Sequence, residues 1–263
     1  MSAAAVATVP RRPHLGLFVT EPGRGILDLG TLLAAAAPLL VSAPRGDGHP
    51  VLVLPGLLGS DRSTVPLRRF LRRQGYHVHG WRLGRNIGPT PQTVRGMRDR
   101  LASLAERHGR PISLVGWSLG GIYAREMARQ APPGVVRQVI TLGSPYRLTD
   151  PRQSRAQSTF NRFSRLHVDA TQLPPPESAR PPLTVPATSV YTRFDGIVHW
   201  ESCIDVIGDR AENIRVVASH MGLGHHPAVL WAVADRLAQP AGTWRPFRAP
   251  MAARHLFPRP DSA

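Results

Sequence analysis

The segment Gly116 to Gly120, which reads Gly-Trp-Ser-Leu-Gly, constrains the fold of this chain more than any other feature. It follows an apolar run at residues 112–115 and precedes a helix-like stretch at residues 121–127. A serine in a Gly-x-Ser-x-Gly frame between a strand and a helix lies on a tight, strained turn, and the glycines let the two elements approach each other. The turn lifts the hydroxyl out of the sheet, so Ser118 is predicted to be a nucleophile.

The rest of the chain is consistent with one globular domain built around a single large core. The sequence has 263 residues, of which 42% are hydrophobic and 19% are charged, as in ordinary folded domains. A single cysteine, Cys203, excludes an internal disulfide, so nothing in the sequence requires an oxidising compartment. We therefore expect a cytoplasmic protein, with secretion not excluded.

One segment, residues 26–43, is apolar enough to be considered for membrane insertion or export. It contains Asp28 and Pro38, begins too far from the N-terminus for an ordinary signal peptide, and is at the short limit for a membrane span. Export stays open because residues 41–43 loosely resemble a cleavage site. We interpret the segment as a helix docked on the domain, which includes Leu27, Leu32, Leu33 and Leu40.

The net charge of +16 comes from arginine alone, because the chain contains no lysine. Arginine pairs at residues 68–69 and 72–73 alternate with apolar residues, which predicts an amphipathic helix with a basic face. Such a face can attract phosphates or anionic lipid, although a solvated outer face is its usual role. No nucleic-acid motif accompanies the charge, so no nucleic-acid partner is expected, and membrane contact stays open.

Apolar runs alternate with helical patterns along most of the chain. The runs predict strands at residues 50–54, 76–81, 112–115, 135–142, 187–192 and 214–218, and helices at residues 64–74, 90–109, 121–127 and 227–237. This alternation is typical of an α/β fold in which a mostly parallel central sheet is covered by helices on both faces.

The segment from residue 146 to residue 186 interrupts this alternation. It is long, polar and proline-rich, and a loop of this length in a compact domain is usually functional or disordered. We predict that it is an inserted cap, or lid, over the site, with a helix near residues 153–166. The predicted organisation is an N-terminal extension with a docked helix (1–47), an α/β domain containing the insertion (48–240) and a C-terminal tail (241–263).

Three chemically complementary residues each follow a predicted strand, in the order Ser118, Asp195, His220. In an open parallel sheet the functional groups gather at the carboxyl ends of the strands. Serine is a weak nucleophile until an imidazole takes its proton, and a carboxylate orients that imidazole and stabilises its charged form. The sequence therefore predicts a catalytic serine, acid and base.

Rival residues exist for the acid and the base. Asp205 lies inside a predicted element rather than after a strand, while His225 and His226 lie at the start of the last helix. His220 follows its predicted strand by two residues, which favours it on geometry. His77 and His79 alternate along one strand without a third ligand at convincing spacing, so no metal site is predicted.

The reaction also requires donors for the developing oxyanion. The first candidate is the backbone N–H of Leu119, and the second is the N–H of Leu57, where Gly56 allows close approach. Large apolar residues flank the site and are equally compatible with an acyl-binding pocket or with core packing: Trp117, Trp200, Met221 and Leu223.

Four motifs together resemble the α/β-hydrolase superfamily, in particular its bacterial lipase/esterase-like members. They are the segments 53–59, 115–121, 193–198 and 219–223, within a resemblance that spans roughly residues 48–237. The resemblance implies an eight-stranded sheet, no metal or cofactor, hydrolysis of esters or related acyl compounds, and a lid at residues 146–186. Many members have histidine where this chain has Pro55 and Trp117, which weakens any inference about the substrate.

The expected function is hydrolysis of a small-molecule or lipid carboxylic ester through an acyl-enzyme intermediate. The same three residues also support acyl transfer, or hydrolysis of thioesters, amides or carbon–carbon bonds. A non-catalytic scaffold that binds anionic partners through its arginine-rich surface is the third alternative.

Overall fold

A single six-stranded sheet forms the centre of the computed structural model, which describes residues 11–262. The strand order is β2-β1-β3-β4-β5-β6, and each neighbouring pair is parallel. This confirms the predicted parallel sheet. The strands are β1 (Pro50–Leu54), β2 (His77–Gly80), β3 (Ile112–Trp117), β4 (Val136–Leu142), β5 (Ala187–Tyr191) and β6 (Ala211–Arg215).

Six α-helices accompany the sheet: α1 (Leu15–Ser42), α2 (Val65–Arg73), α3 (Pro91–His108), α4 (Leu119–Gln130), α5 (Gln157–Arg162) and α6 (Pro227–Leu237). The limits of α3 follow from local chemistry. The Thr90 side chain accepts a hydrogen bond from the N–H of Thr93, and Gly109 ends the helix in a left-handed conformation, with φ 57°. Both limits agree with the sequence prediction.

Successive residues of a strand point to opposite faces of the sheet, where they enter two different apolar cores. In β1, Val51 and Val53 belong to a core that also contains residues of α2 and α6. Leu52 and Leu54 point to the opposite face, into a core shared with α3 and α4. Because both faces of the strand are covered, its sequence is a continuous apolar run rather than an alternating pattern.

The expectation of eight strands is wrong for the described residues. Within residues 11–49, which precede β1, the chain forms the long helix α1 and adds no strand to the sheet. This helix begins at Leu15 rather than near residue 26. Leu32 and Leu40 of this helix pack against the core. Leu27 and Leu33, however, are 70% and 74% exposed and do not contribute to the docking.

The last strand is also misplaced by the sequence prediction, which put it at residues 214–218. The observed β6 begins at Ala211 and pairs with β5. Its first half carries the polar residues Glu212 and Asn213, which are buried because Arg236 and the backbone of Asp205 satisfy them. Hydrophobicity alone therefore gives no indication of where this strand begins.

Short helical pieces occupy the 146–186 segment, between β4 and β5. The predicted helix at residues 153–166 is replaced by α5 and a 3₁₀ turn on each side of it. Near the end of the segment, Glu177 forms ion pairs with Arg125 and Arg129 of α4. The segment is therefore tied to α4, while its role as a lid and the predicted domain limits remain predictions.

Candidate active site

Ser118 lies on a strained turn between β3 and α4. Its backbone has φ 53° and ψ −121°, a conformation that costs a residue with a side chain about 1–3 kcal/mol. A Cβ atom added to Gly116 would lie 2.3 Å from the Gly120 carbonyl oxygen, and one added to Gly120 would lie 2.4 Å from the Leu54 oxygen. Only glycine fits at either position, so the two glycines of the motif allow β3, β1 and α4 to meet behind the serine.

Asp195 and His220, both buried, form a hydrogen-bonded pair. The His220 Nδ1 atom lies 2.6 Å from the Asp195 Oδ2 atom. The other oxygen of Asp195 accepts hydrogen bonds from the N–H groups of Ile197 and Val198, each at 2.8 Å. Asp195 follows β5 and His220 follows β6, although the interval after β6 is longer than predicted because that strand ends at Arg215.

The environment of His220 changes its basicity. Burial lowers the pKa of the imidazole, but the negative charge of Asp195 and the hydrogen bond to it act in the opposite direction. Glu21 adds a further electrostatic contribution, and the net result is a pKa raised above the ordinary value of 6.5. With Nδ1 directed at Asp195, the Nε2 atom of His220 is the one available for proton transfer.

The end of β4 links the serine to the acid–base pair. The N–H of Ser118 donates a hydrogen bond of 2.8 Å to the carbonyl oxygen of Leu142. A Cβ atom on the next residue, Gly143, would lie 3.2 Å from His220 Nδ1 and 3.4 Å from Asp195 Oδ2. All three predicted catalytic residues therefore lie at the carboxyl edge of the sheet. Within the described chain no hydrogen bond joins the Ser118 hydroxyl to His220, a contact that often tightens only when substrate binds.

Trp117 makes a second connection between the serine turn and the histidine loop. Its indole Nε1–H donates a hydrogen bond of 3.1 Å to the carbonyl oxygen of His220, and the two rings lie 6.5 Å apart. The tryptophan therefore packs behind the imidazole and supports the loop that carries it. This contact gives Trp117 a positioning role besides the predicted contact with substrate.

The loop after β1 approaches the serine closely. A Cβ atom on Gly56 would lie 3.1 Å from the Cβ of Ser118, so a side chain there would crowd Ser118. In residues 11–262, the N–H groups of Leu57 and Leu119 have no protein acceptor, and both flank the serine. This arrangement is compatible with the predicted oxyanion donors, whose role remains a prediction.

Asn86 supports that loop and has no counterpart in the sequence prediction. The buried side chain donates to the Pro55 carbonyl oxygen at 2.8 Å. Its backbone accepts a hydrogen bond of 2.7 Å from the N–H of Leu58, which adopts a positive φ of 60°. Only a glycine-rich stretch marks this residue in the sequence, and such stretches are too common to identify it.

Two carboxylates of α1, which the sequence analysis did not identify, contact the loops that carry Asp195 and His220. The Glu21 side chain accepts hydrogen bonds from the N–H of Gly196 at 3.0 Å and from the N–H of Met221 at 2.9 Å. Asp28 accepts from the N–H of Ser219 at 2.9 Å and from its hydroxyl at 2.6 Å. Helix α1 thus holds the residues next to both Asp195 and His220.

The rival residues have other partners. Asp205 forms an ion pair of 2.7 Å with Arg125. The His225 ring contacts the Gly25 carbonyl oxygen, and His226 caps the start of α6. Of the strand histidines, His79 contacts the ring of His108. In the described part of the chain, no three metal-ligating side chains converge.

Another hydrogen-bonded aspartate, histidine and serine lie at the opposite, amino edge of the sheet. The His49 Nδ1 atom lies 2.5 Å from Asp47, and its Nε2 atom lies 2.8 Å from the Ser113 hydroxyl. Both His49 and Ser113 are fully buried, so no substrate can reach the hydroxyl. The pairing is therefore structural, and it shows that residue types alone do not identify a catalytic site.

The predicted pocket residues differ in their placement. Met221 is exposed beside the site, and Trp117 is half-buried. Trp200 stacks on Tyr191 with 5.9 Å between ring centres. Leu223 is completely buried in the core, which favours packing over contact with a substrate.

A separate apolar cavity of about 610 Å³ lies between α3, α4 and the 146–186 segment. Leu119, the residue after Ser118, lines it, and none of the four predicted pocket residues does. Its apolar lining includes Val94, Met97, Ile122, Tyr123, Phe160, Val168 and Leu173. Sequence reasoning missed this cavity because its wall combines residues from three distant parts of the chain.

Comparison with curated proteins gives one partial match. No family model matches the chain. An alignment 101 residues long, which covers 30% of this chain, is 31% identical to a pimeloyl-[acyl-carrier protein] methyl ester esterase of Aromatoleum aromaticum. The match spans 40% of that relative, well under half of its length.

Solved structures give wider matches at low sequence identity. Lipase B of Aspergillus fumigatus superposes with a TM-score of 0.58 and 15% identity, over 76% of this chain and 55% of the lipase. A pyrethroid hydrolase superposes with a TM-score of 0.51 and 17% identity, over 74% of this chain and the whole of that enzyme. At such identities the likeness concerns the fold, and it confirms the fold class predicted from the sequence.

Proposed function

We propose that this chain, a member of the α/β-hydrolase superfamily, hydrolyses carboxylic esters with Ser118 as the nucleophile. The observation that carries the proposal is the position of the strained Ser118 turn at the same sheet edge as the Asp195–His220 pair. The esterase and lipase names of the similar proteins support the same chemistry.

In the proposed mechanism His220 Nε2 takes the proton of the Ser118 hydroxyl as its oxygen attacks the ester carbonyl carbon. Asp195 stabilises the resulting imidazolium. The N–H groups of Leu57 and Leu119 stabilise the oxyanion, and each such donor is worth about 2.7–4 kcal/mol of barrier. His220 then gives its proton to the leaving alcohol, and the acyl group stays on Ser118.

The second half of the reaction repeats these steps with water. His220 takes a proton from water as the hydroxide attacks the acyl carbon. The tetrahedral intermediate collapses, the bond to the Ser118 oxygen breaks, and the proton on His220 returns to that oxygen. The products are a carboxylic acid and the free enzyme, so no cofactor enters the balance.

We place the acyl group of the substrate in the cavity beside Leu119. The volume of about 610 Å³ and the apolar lining favour a hydrophobic acyl chain over a short polar one. The 146–186 segment forms part of the wall through Phe160, Val168 and Leu173. In this proposal that segment is the lid predicted from the sequence.

A fluorophosphonate probe tests the proposal without knowledge of the substrate. We expect the probe to label Ser118, as identified by peptide mass mapping, and both Ser118→Ala and His220→Ala to abolish labelling. Matched controls replace an exposed serine and an exposed histidine elsewhere, Ser178→Ala and His255→Ala, and should label like wild type. Absence of labelling in folded wild-type protein, or persistent labelling of His220→Ala, contradicts the proposal.

Hydrolysis of p-nitrophenyl esters then tests the reaction itself. We expect turnover with a burst of p-nitrophenol that corresponds to acyl-enzyme formation. Labelling of Ser118 without turnover of any ester from acetate to palmitate would indicate a different acyl acceptor or bond.

A further inference from the structure

Helix α1 has the reverse of the usual polarity of a surface helix. Its two acidic residues, Glu21 and Asp28, point towards the domain and bind the catalytic loops. The side chains that point away from the domain are apolar, whereas a surface helix of a soluble domain normally exposes its polar side. Between 59% and 87% of each of the following is exposed: Leu15, Val19, Ile26, Leu33 and Val41. We call these five residues the outer face of α1.

The spacing of these residues makes one continuous surface. The first four recur at intervals of four and seven residues, which is the repeat of a single side of an α-helix. The helix has 28 residues and is therefore about 42 Å long at 1.5 Å per residue. By length and composition alone it could cross a membrane, since an 18-residue window has a mean hydropathy of 1.7 and only 11% of that window is buried.

The inward contacts of α1 favour a helix that lies along a surface over one that crosses it. Besides the bonds of Glu21 and Asp28, the Arg24 side chain donates to the Phe194 carbonyl oxygen at 2.8 Å. These polar contacts join one side of the helix to the hydrolase domain, while the other side stays apolar. A helix with one apolar and one polar side typically lies in the plane of a membrane surface.

Positive charge lies at both ends of the outer face. Arg11 and Arg12 are exposed just before α1, and Arg45 is exposed just after it. Neither acidic residue of the helix belongs to the outer face, and the whole chain carries a net charge of +16. Basic residues beside an apolar helix face attract anionic lipid headgroups.

The outer face also continues towards the catalytic loops. Gly25 packs against Met221, because a Cβ atom there would lie 2.9 Å from the Met221 side chain. Met221 is 42% exposed, and Phe194, which receives the Arg24 hydrogen bond, is 45% exposed. A surface that covers α1 therefore also lies close to the residues next to His220 and Asp195.

We propose that the outer face of α1 docks this protein on a membrane that contains anionic lipid, with the helix parallel to the bilayer plane. A second copy of the chain fits less well. In an antiparallel pair of α1 helices Arg11 and Arg12 would face Arg45, and in a parallel pair they would face themselves. Like charges would meet in both arrangements, whereas anionic headgroups neutralise them. The proposal is independent of catalysis, because it concerns binding.

Sedimentation with lipid vesicles tests the proposal on the full chain. We expect wild-type protein to bind vesicles of equal parts phosphatidylglycerol and phosphatidylcholine, and to bind pure phosphatidylcholine at least about tenfold more weakly. The variant Ile26→Glu/Leu33→Glu should reduce binding to the mixed vesicles by at least about tenfold, because it places two charges in the bilayer interface. Far-ultraviolet circular dichroism and thermal unfolding establish that the variant is folded.

A matched control makes the same change at two exposed apolar residues away from α1. The variant Val206→Glu/Ile207→Glu adds the same charge at two exposed positions. It should bind the mixed vesicles with an affinity within about twofold of that of the wild-type protein. Equal losses in the two double variants would overturn the proposal, because net charge alone would then explain them. So would a folded wild type that binds neither vesicle.

Sedimentation equilibrium distinguishes a lipid surface from a second copy of the chain as the partner of the outer face. The lipid proposal fails if the wild-type protein forms a dimer, the Ile26→Glu/Leu33→Glu variant is a monomer, and neither protein binds vesicles. That result would show that a second copy of the chain covers the outer face. Extraction of bound protein distinguishes surface docking from membrane insertion. We expect high salt or carbonate at pH 11 to release it, and protein that only detergent extracts would contradict an in-plane helix.

Discussion

Glu21, on the N-terminal helix, accepts a hydrogen bond of 2.9 Å from the backbone N–H of Met221, the residue that follows His220. Its second carboxylate oxygen accepts one of 3.0 Å from the N–H of Gly196, which follows Asp195. Glu21 is almost completely buried, so these contacts are sheltered from water. A single side chain that is distant in sequence therefore bridges the loop of Asp195 and the loop of His220.

The first prediction concerns this bridge. Glu21→Gln removes the charge and replaces one carboxylate oxygen by an NH2 group that cannot accept, so one of the two hydrogen bonds is lost and the other is weakened. A charged hydrogen bond is worth about 1.5–3 kcal/mol. We expect fluorophosphonate labelling of Ser118 to slow by about tenfold or more, and kcat/KM for p-nitrophenyl butyrate to fall in parallel. Since the Glu21 charge contributes to the raised pKa of His220, the acid limb of the pH profile should move to lower pH.

Thr31→Ala is the matched control, because Thr31 is an exposed residue of the same helix whose hydroxyl bonds only to the Leu27 carbonyl oxygen. It should leave the rate and the pH profile unchanged. A Glu21→Gln variant with a slower rate but an unmoved acid limb would indicate a loss of packing rather than an electrostatic effect on His220.

The second prediction concerns the pH dependence of the proposed reaction. The pKa of His220 is raised above 6.5, and the base must be neutral to accept a proton. Activity should therefore be lost as pH falls, with the midpoint of the acid limb of kcat/KM above pH 6.5. Asp195→Asn should move this limb to lower pH, because the effect of burial is then no longer opposed by the charge of Asp195, and should reduce the rate by about 10³–10⁴-fold.

Stopped-flow labelling between pH 5 and pH 9 measures both effects without dependence on product release. An acid limb with a midpoint well below pH 6.5 in wild type, or the same midpoint in Asp195→Asn, would contradict the assigned acid–base pair.

The third prediction concerns acyl-chain selectivity. Ile122 lines the cavity of about 610 Å³ beside Leu119, and Ile122→Trp should fill much of it. Each methylene group that no longer enters an apolar site loses about 0.8 kcal/mol, or roughly fourfold in kcat/KM. We expect the preference for p-nitrophenyl decanoate over butyrate to fall steeply, while hydrolysis of the acetate is retained.

Ile207→Trp makes the same substitution at an exposed position outside this cavity and should not alter the preference. If Ile122→Trp reduces all chain lengths equally, the cavity is not the acyl site.

The fourth prediction concerns the attachment of the 146–186 segment to α4. Arg125 is buried and forms ion pairs with Glu177 of that segment and with Asp205. Arg125→Met keeps much of the side-chain volume but removes an ion pair from each carboxylate: Asp205 loses its arginine partner, whereas Glu177 keeps Arg129. Loss of one partner of a buried ion pair costs about 3–5 kcal/mol, so we expect a decrease of that size in the free energy of unfolding.

Urea unfolding measured by tryptophan fluorescence tests the value. Arg152→Met removes an exposed pair with Asp150 and serves as the control, for which we expect little change because solvent screens the pair. A similar effect of the two substitutions would show that burial does not strengthen the Arg125 contacts.

Local pattern was sufficient for much of the fold and for the order of the candidate catalytic residues. The apolar run of β1 and the limits of α6, which begins with Pro227, match the structure residue for residue. The turn around Ser118 needs glycine on both sides, a requirement that is visible in five consecutive residues. Such features depend on contacts between residues that are close in sequence, so the sequence is sufficient to predict them.

The supports of the site depend instead on contacts between residues that are distant in sequence. Glu21, Asp28 and Asn86 have no periodicity or motif that marks them, and β6 begins with polar residues that distant partners satisfy. The sequence by itself determined the parallel sheet, the serine turn and the serine, aspartate and histidine order. Only the tertiary structure decided which carboxylates brace the loops, where the apolar cavity lies and which side of α1 faces outward, because each results from packing between elements that are far apart in the chain.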